Sequence, residues 1–152
     1  ARHYTLHPGD LACAECGDRL ETLLGSCVAI ILADPRRSVA AMCHVVHPGL
    51  PGSIGPPDNC AYGEVALAAM AVQLRLRGLA TQLCEALVIG GGNMFPQQFT
   101  QGHVGEHNAR WALAALRREG IAVVYQDLGG CAYRRLGWTV GPGVPEVVAV
   151  PV

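Results

Sequence analysis

The chain contains no lysine; all 11 of its basic residues are arginine. That absence excludes a Walker-type phosphate loop, whose lysine must reach the phosphates. Charge is scarce altogether. Only 15% of residues are charged, and 11 basic against 12 acidic side chains leave a net charge of −1. The arginines are scattered, so the basic stripe by which a protein holds a nucleic-acid backbone is missing. No apolar run reaches membrane-spanning length, and no signal peptide is read at the start. Cys13 and Cys16 form a C-x-x-C pair, but no second such pair completes a zinc site. With His3 and His7 nearby, a metal or redox site there stays open beside the simpler reading of local packing.

The seven cysteines are an odd number, and most (Cys43, Cys60, Cys84, Cys131) sit in apolar or strand-like contexts. A free thiol packs there as a small hydrophobe, so a disulfide scaffold is not expected and a reducing cytosol fits best. Of the 152 residues, 51% are hydrophobic, enough for a single domain over residues 1–152 with a sizeable core.

The stretch Glu21 to His47 organises that domain. It reads as a turn, a strand, a second turn and a returning strand. Val28-Ala29-Ile30-Ile31-Leu32 is an apolar run of strand length closed by Asp34-Pro35, and Val39 to Val46 reads as the return. If Asp34 to Arg37 form a four-residue turn, paired positions sum to 71. Cys27 then lies directly opposite His44, with Cβ atoms roughly 4.5–5.5 Å apart. His47 is the poorer partner in that register.

The flanking segments fill in an α/β or α+β domain whose helices pack on a mixed sheet. Residues 1–20 read as loop with a short strand near Leu11 to Ala14, and residues 48–59 as a proline- and glycine-rich loop bordering the histidines. Tyr62 to Arg77 and Glu106 to Glu119 have helical periodicity and glycine stops. Leu83 to Ile89, Ile121 to Tyr125 and Glu146 to Val150 read as strands. The triplet Gly90-Gly91-Gly92 fits no phosphate-binding pattern and is read as a tight turn or close backbone approach.

Cysteine and histidine on adjacent strands are a candidate nucleophile and base. The thiolate is the reactive form, and a neighbouring imidazolium lowers its pKa. Gly25 and Ser26 allow backbone N–H groups to approach a developing oxyanion. The plain alternative is a core cysteine beside a structural histidine.

Read together, LLGSCVAIILADP, AAMCHVV, IGGGNMF, VGEHN and DLGGCAYR, in that order from about Leu20 to Arg134, resemble the CheD family of chemoreceptor glutamine deamidases. The resemblance implies a layered α/β sandwich of mixed sheet and packed helices, similar to the toxin-deamidase fold. It implies Cys27 as nucleophile and His44 as general base. It implies a cysteine-dependent hydrolase that needs no cofactor or metal and converts glutamine side chains on cytoplasmic chemoreceptor helices to glutamate. Methyl-ester hydrolysis and a CheC-type phosphatase partner are implied as well. A non-catalytic binding partner of chemotaxis proteins and a thiol enzyme using Cys13 and Cys16 are the competing classes.

Two positions depart from the pattern. The family's histidine-orienting threonine falls where this chain has Glu21-Thr22, and Thr22 is the expected partner if the adjacent position serves. Leu87 stands where the family tends to carry lysine, a departure expected to bear on partner binding more than on chemistry. Asn108 and the Asp127–Arg134 pair match further motifs and are expected to be structural.

Overall fold

The computed structural model describes residues 1–53 and 55–152; Ile54, in the expected proline- and glycine-rich loop, lies outside the described residues. The strands are β1 (His3–Leu6), β2 (Leu11–Glu15), β3 (Arg19–Leu24), β4 (Val28–Ala33) and β5 (Val39–Val45). After helix α1 (Gly63–Leu76) come β6 (Glu85–Gly90), helix α2 (Val104–Arg118), β7 (Ala122–Leu128), β8 (Ala132–Thr139) and β9 (Glu146–Pro151). The strands form two sheets, one in the order β2-β5-β4-β6-β7 and one in the order β1-β3-β8-β9. Both mix parallel and antiparallel pairs. The helices cover one face of the five-stranded sheet and the four-stranded sheet covers the other, giving a layered α/β sandwich.

Strand β4 shows why the layers form. Alternate residues of a strand point to opposite faces. Val28, Ile30 and Leu32 pack under the helices, and Ala29, Ile31 and Ala33 face the second sheet. All six are fully buried, which is why β4 reads as a continuous apolar run rather than an alternating one. Between the sheets, small residues on one side (Ala29, Ala33, Ala40) meet large ones on the other (Leu20, Leu136, Trp138). That size complementarity fills the inter-sheet layer.

The hairpin register differs from the expected one. Ala33 pairs with Ala40 and Ala29 with His44, so paired positions sum to 73 rather than 71. The Asp34 carboxylate sets this shift by accepting from the backbone N–H of Ser38 at 2.8 Å and of Val39 at 2.9 Å. Arg37 completes the loop in the left-handed region at φ 59°. The expected Asp34–Arg37 turn forms, with Arg37 N–H donating to the Asp34 carbonyl at 2.9 Å, but Asp34 also donates its N–H to the Val39 carbonyl at 3.3 Å, so Ser38 joins the loop and the strands pair from Ala33 and Ala40.

The largest correction concerns the first 24 residues. Beside the expected short strand, now β2, the chain forms β1 and β3, where it read as loop and turn. The chain leaves the four-stranded sheet after β1, contributes β2 to the other sheet, and returns as β3 parallel to β1. Elsewhere the elements fall close to their expected positions. The strand expected from Leu83 starts at Glu85, after a 3₁₀ turn over Thr81–Leu83.

Because β4 is buried on both faces, its core positions bear on stability directly. Ile30→Ala is expected to destabilise the fold by about 2–5 kcal/mol, while Val124→Ala on the half-exposed edge strand β7 should stay within about 0.5 kcal/mol. Urea denaturation of the two variants checks this.

Candidate active site

Cys27 sits immediately before β4, and its side chain packs with the inter-sheet core. Extending the register by one step puts Val46, not His44, opposite Cys27. A shift of two keeps the same face, so His44 is the diagonal neighbour of Cys27 within the inter-sheet layer. Diagonal neighbours have Cα atoms roughly 7–8 Å apart, which a long side chain spans. No hydrogen bond joins the thiol to the imidazole among the described residues.

His44 is buried and is held from the opposite sheet. Thr22 Oγ1 lies 2.8 Å from His44 Nδ1 and 2.8 Å from the Leu6 carbonyl oxygen. A carbonyl only accepts, so the hydroxyl proton belongs to Leu6, and Nδ1–H must donate to Thr22. That network assigns His44 its tautomer and leaves Nε2 unprotonated, with its lone pair available. Glu21 points to the outer face instead, where it pairs with His3 and, at 3.7 Å, with Arg19. Thr22 rather than Glu21 therefore orients the imidazole.

Three hydrogen bonds to backbone carbonyls fix the loop that ends at Cys27. The Gly25 carbonyl accepts from Gly92 N–H at 3.0 Å, the Ser26 carbonyl from Asn108 Nδ2 at 3.0 Å, and the Cys27 carbonyl from Gly91 N–H at 2.9 Å. The glycine triplet thus serves close approach. A Cβ on Gly90 would stand 2.2 Å from the Cys27 carbonyl oxygen, and Gly90 also adopts φ 122°. Across the loop, the N–H groups of Ser26 and Cys27 donate to no protein acceptor among the described residues.

Beside Ser26 opens a cavity of about 160 Å³ walled mainly by Met94, Phe95, Phe99 and Val104. The sequence reading missed these residues and the one that arranges them. Asn93 Nδ2 donates to the Phe99 carbonyl at 2.6 Å, and its Oδ1 accepts from Phe95 N–H at 3.1 Å. The available signal was an asparagine after a glycine run and shortly before a proline, a common turn organiser.

The remaining candidates are placed elsewhere. His47 stacks on Tyr62 with ring centroids 4.8 Å apart. Arg134 bonds Asp127 at 3.2 Å and the Gly129 carbonyl at 2.7 Å, fixing the turn after β7. Leu87 is buried between the sheets and does not contribute to the surface. Cys13 and Cys16 lie at the hairpin-turn end of the sheet, beside a polar cleft of about 460 Å³. Three extended steps separate them by about 10 Å, beyond the roughly 7 Å that a disulfide tolerates. Among the described residues, no three His, Cys, Asp or Glu side chains gather as metal ligands do.

The electrostatics differ from the expected thiolate–imidazolium pair. Burial pushes the Cys27 thiol above its ordinary value. Burial pulls His44 down to about 4, with the charge of Asp10 opposing the shift and that of His7 adding to it. Both groups rest neutral at pH 7.

Residues 50–144 match the family described as CheD chemotactic sensory transduction. The chain is 36% identical over 142 residues to the probable chemoreceptor glutamine deamidase CheD 2 of Albidiferax ferrireducens, covering 91% of this chain and 82% of that one. It is 34% identical over 134 residues to the probable chemoreceptor glutamine deamidase CheD of Pseudomonas fluorescens, covering 86% and 75%. To the protein of the same description from Bordetella petrii it is 39% identical over 119 residues, 78% of this chain and about half of that one, 53%.

The neutral pair has two measurable consequences. Iodoacetamide should alkylate Cys27 at a rate that climbs through pH 9; a plateau beginning near pH 5 would instead mark an ion pair. The second consequence is thermodynamic. Because His44 titrates lower in the fold than in the unfolded chain, the unfolded state binds more protons between about pH 6.5 and pH 4. Stability from this group is therefore full above pH 6.5 and is lost as the pH falls toward 4, by about 3 kcal/mol. Urea midpoints across that window should fall for the wild type and flatten in His44→Gln.

Proposed function

The chain belongs to the CheD family, and from that premise we propose that it is a cysteine-dependent protein-glutamine deamidase acting on the cytoplasmic helices of bacterial chemoreceptors. The observation that carries the reading is the Leu6–Thr22–His44 hydrogen-bond chain beside Cys27. It presents a buried base in one tautomer on the inter-sheet face that also holds Cys27, just before β4.

In the proposed reaction the Cys27 sulfur attacks the side-chain amide carbon of a receptor glutamine while His44 Nε2 takes the thiol proton. The carbonyl oxygen becomes an oxyanion, for which the N–H groups of Ser26 and Cys27 are the proposed donors, with Gly25 giving the loop its close approach. His44 returns the proton to the nitrogen, the C–N bond breaks and ammonia leaves a thioester. Water, deprotonated by His44, hydrolyses that thioester to glutamate and restores the thiol. A methyl ester at the same carbon fits the same steps with methanol as leaving group. The apolar cavity beside Ser26 would take the aliphatic part of the substrate helix next to the glutamine. The resemblance further proposes a CheC-type phosphatase as a second partner, a cytoplasmic setting, and residues 1–152 acting as one domain. No helix among the described residues is long and apolar enough to cross a membrane.

The test is ammonia release with peptide mass mapping on a purified receptor cytoplasmic fragment. Wild type should convert glutamine to glutamate, and Cys27→Ala and His44→Ala should not. Thr22→Val, which removes the acceptor for Nδ1–H, should lower kcat by roughly tenfold or more with the thiol still present. Absence of conversion on several receptor fragments, with Cys27 unreactive to alkylation, would replace the deamidase by a non-catalytic binding partner.

A further inference from the structure

We propose that Asn108 is a positioning residue that holds the Ser26–Cys27 peptide plane in the orientation that stabilises the oxyanion, a role that rests on the hydrolase reading above.

Asn108 lies on α2 and is fully buried. Its Nδ2 donates to the Ser26 carbonyl and to the Val46 carbonyl, both at 3.0 Å. Those two carbonyls belong to the segment entering β4 at Cys27 and the segment leaving β5 after His44. One amide group on a helix thus ties together the two strand ends that carry the candidate nucleophile and base. Its orientation is forced, because the flipped amide would aim Oδ1 at both carbonyls.

The tie acts through the peptide plane. The Ser26–Cys27 peptide bond is trans, so the Ser26 carbonyl and the Cys27 N–H point in opposite directions within one rigid plane. Anchoring the carbonyl on Asn108 therefore turns the Cys27 N–H away from α2. The Gly92 N–H fixes the preceding plane in the same way through the Gly25 carbonyl, and so directs the Ser26 N–H. Among the described residues, Asn108 is the one side chain that bonds these loop carbonyls. The Ser26 carbonyl has no other partner among the described residues, so Asn108 is the direct tie on that plane, between neighbours held by Gly92 and Gly91.

Its cost in stability points the same way. Asn108 Oδ1 is buried with no hydrogen-bond partner. An unpaired buried acceptor offsets much of what two neutral hydrogen bonds contribute, so Asn108 brings orientation more than stability.

The experiment compares two reactions of the same thiol. Alkylation by iodoacetamide displaces iodide at a saturated carbon and forms no oxyanion. Acylation by p-nitrophenyl acetate passes through a tetrahedral oxyanion before the carbon–oxygen bond breaks, p-nitrophenolate leaves and an acetyl thioester remains. In Asn108→Leu and Asn108→Ser, Cys27 alkylation followed by peptide mapping should stay within about twofold of wild type. The burst of p-nitrophenolate should slow by roughly a hundredfold, the scale on which one oxyanion donor counts. On a receptor fragment, kcat should fall by the same factor with KM unchanged. Parallel losses of alkylation and acylation in both variants would show that Asn108 merely holds up the site, and an unchanged burst would remove its role; either overturns the proposal. A wild type that acylates on the ester but leaves receptor glutamines intact would sink the substrate reading alone.

Discussion

The site depends on one constraint: β4 is buried on both of its faces. A strand so placed cannot slide by one residue without driving its whole inward set to the other layer. Its end is therefore fixed relative to both the helices above and the sheet below. Cys27 is the residue at which the chain enters this position, and β5 must pair beside it. His44 then faces the second sheet because Ala29, its partner, does. The histidine reaches Thr22 on β3 only because the two sheets are packed over small residues along that seam. The candidate chemistry thus lies between two sheets, and each sheet supplies part of it.

Much of this was legible in local sequence. An apolar run ending in Asp-Pro marks a buried strand and its turn, and helices of three to four turns show their period and stops. The pairing of Cys27 with His44 was readable as a shared face but not as a register. Asp34 can accept from Ser38 and Val39 only if the loop takes four residues after it, with Arg37 in a left-handed conformation that arginine seldom adopts. The resulting shift of two left the face intact, and a shift of one would have destroyed it.

Strands β1 and β3 were not read, for different reasons. His3, Tyr4 and Thr5 carry no apolar alternation, because β1 is a short edge strand whose parallel partner lies beyond an excursion into the other sheet. In β3 the alternation is present, with Leu20, Thr22 and Leu24 buried, but exposed Leu23 and the following Gly-Ser obscure it. The choice between Glu21 and Thr22 was therefore a question of strand phase, and one alternation answers it. The Asn108 tie spans 82 positions to Ser26, a distance over which no local pattern carries information.

A neutral thiol beside a neutral imidazole looks like a weak pair, yet burial makes it the sensible resting state. A thiolate–imidazolium pair in this layer would need both ions desolvated, and their attraction repays that only with a close hydrogen bond. None joins them at rest. Burial raises the thiol above its usual value, so the neutral thiol dominates at pH 7. What must change on substrate arrival is the partner of the negative charge. In the proposed reaction, charge would move from sulfur to the carbonyl oxygen as the proton moves to Nε2, and donors fixed in advance by the backbone would cost no reorganisation on receiving it. The selectivity of such a site then comes from the carbonyl's position relative to those donors, and not from the nucleophilicity of the thiol.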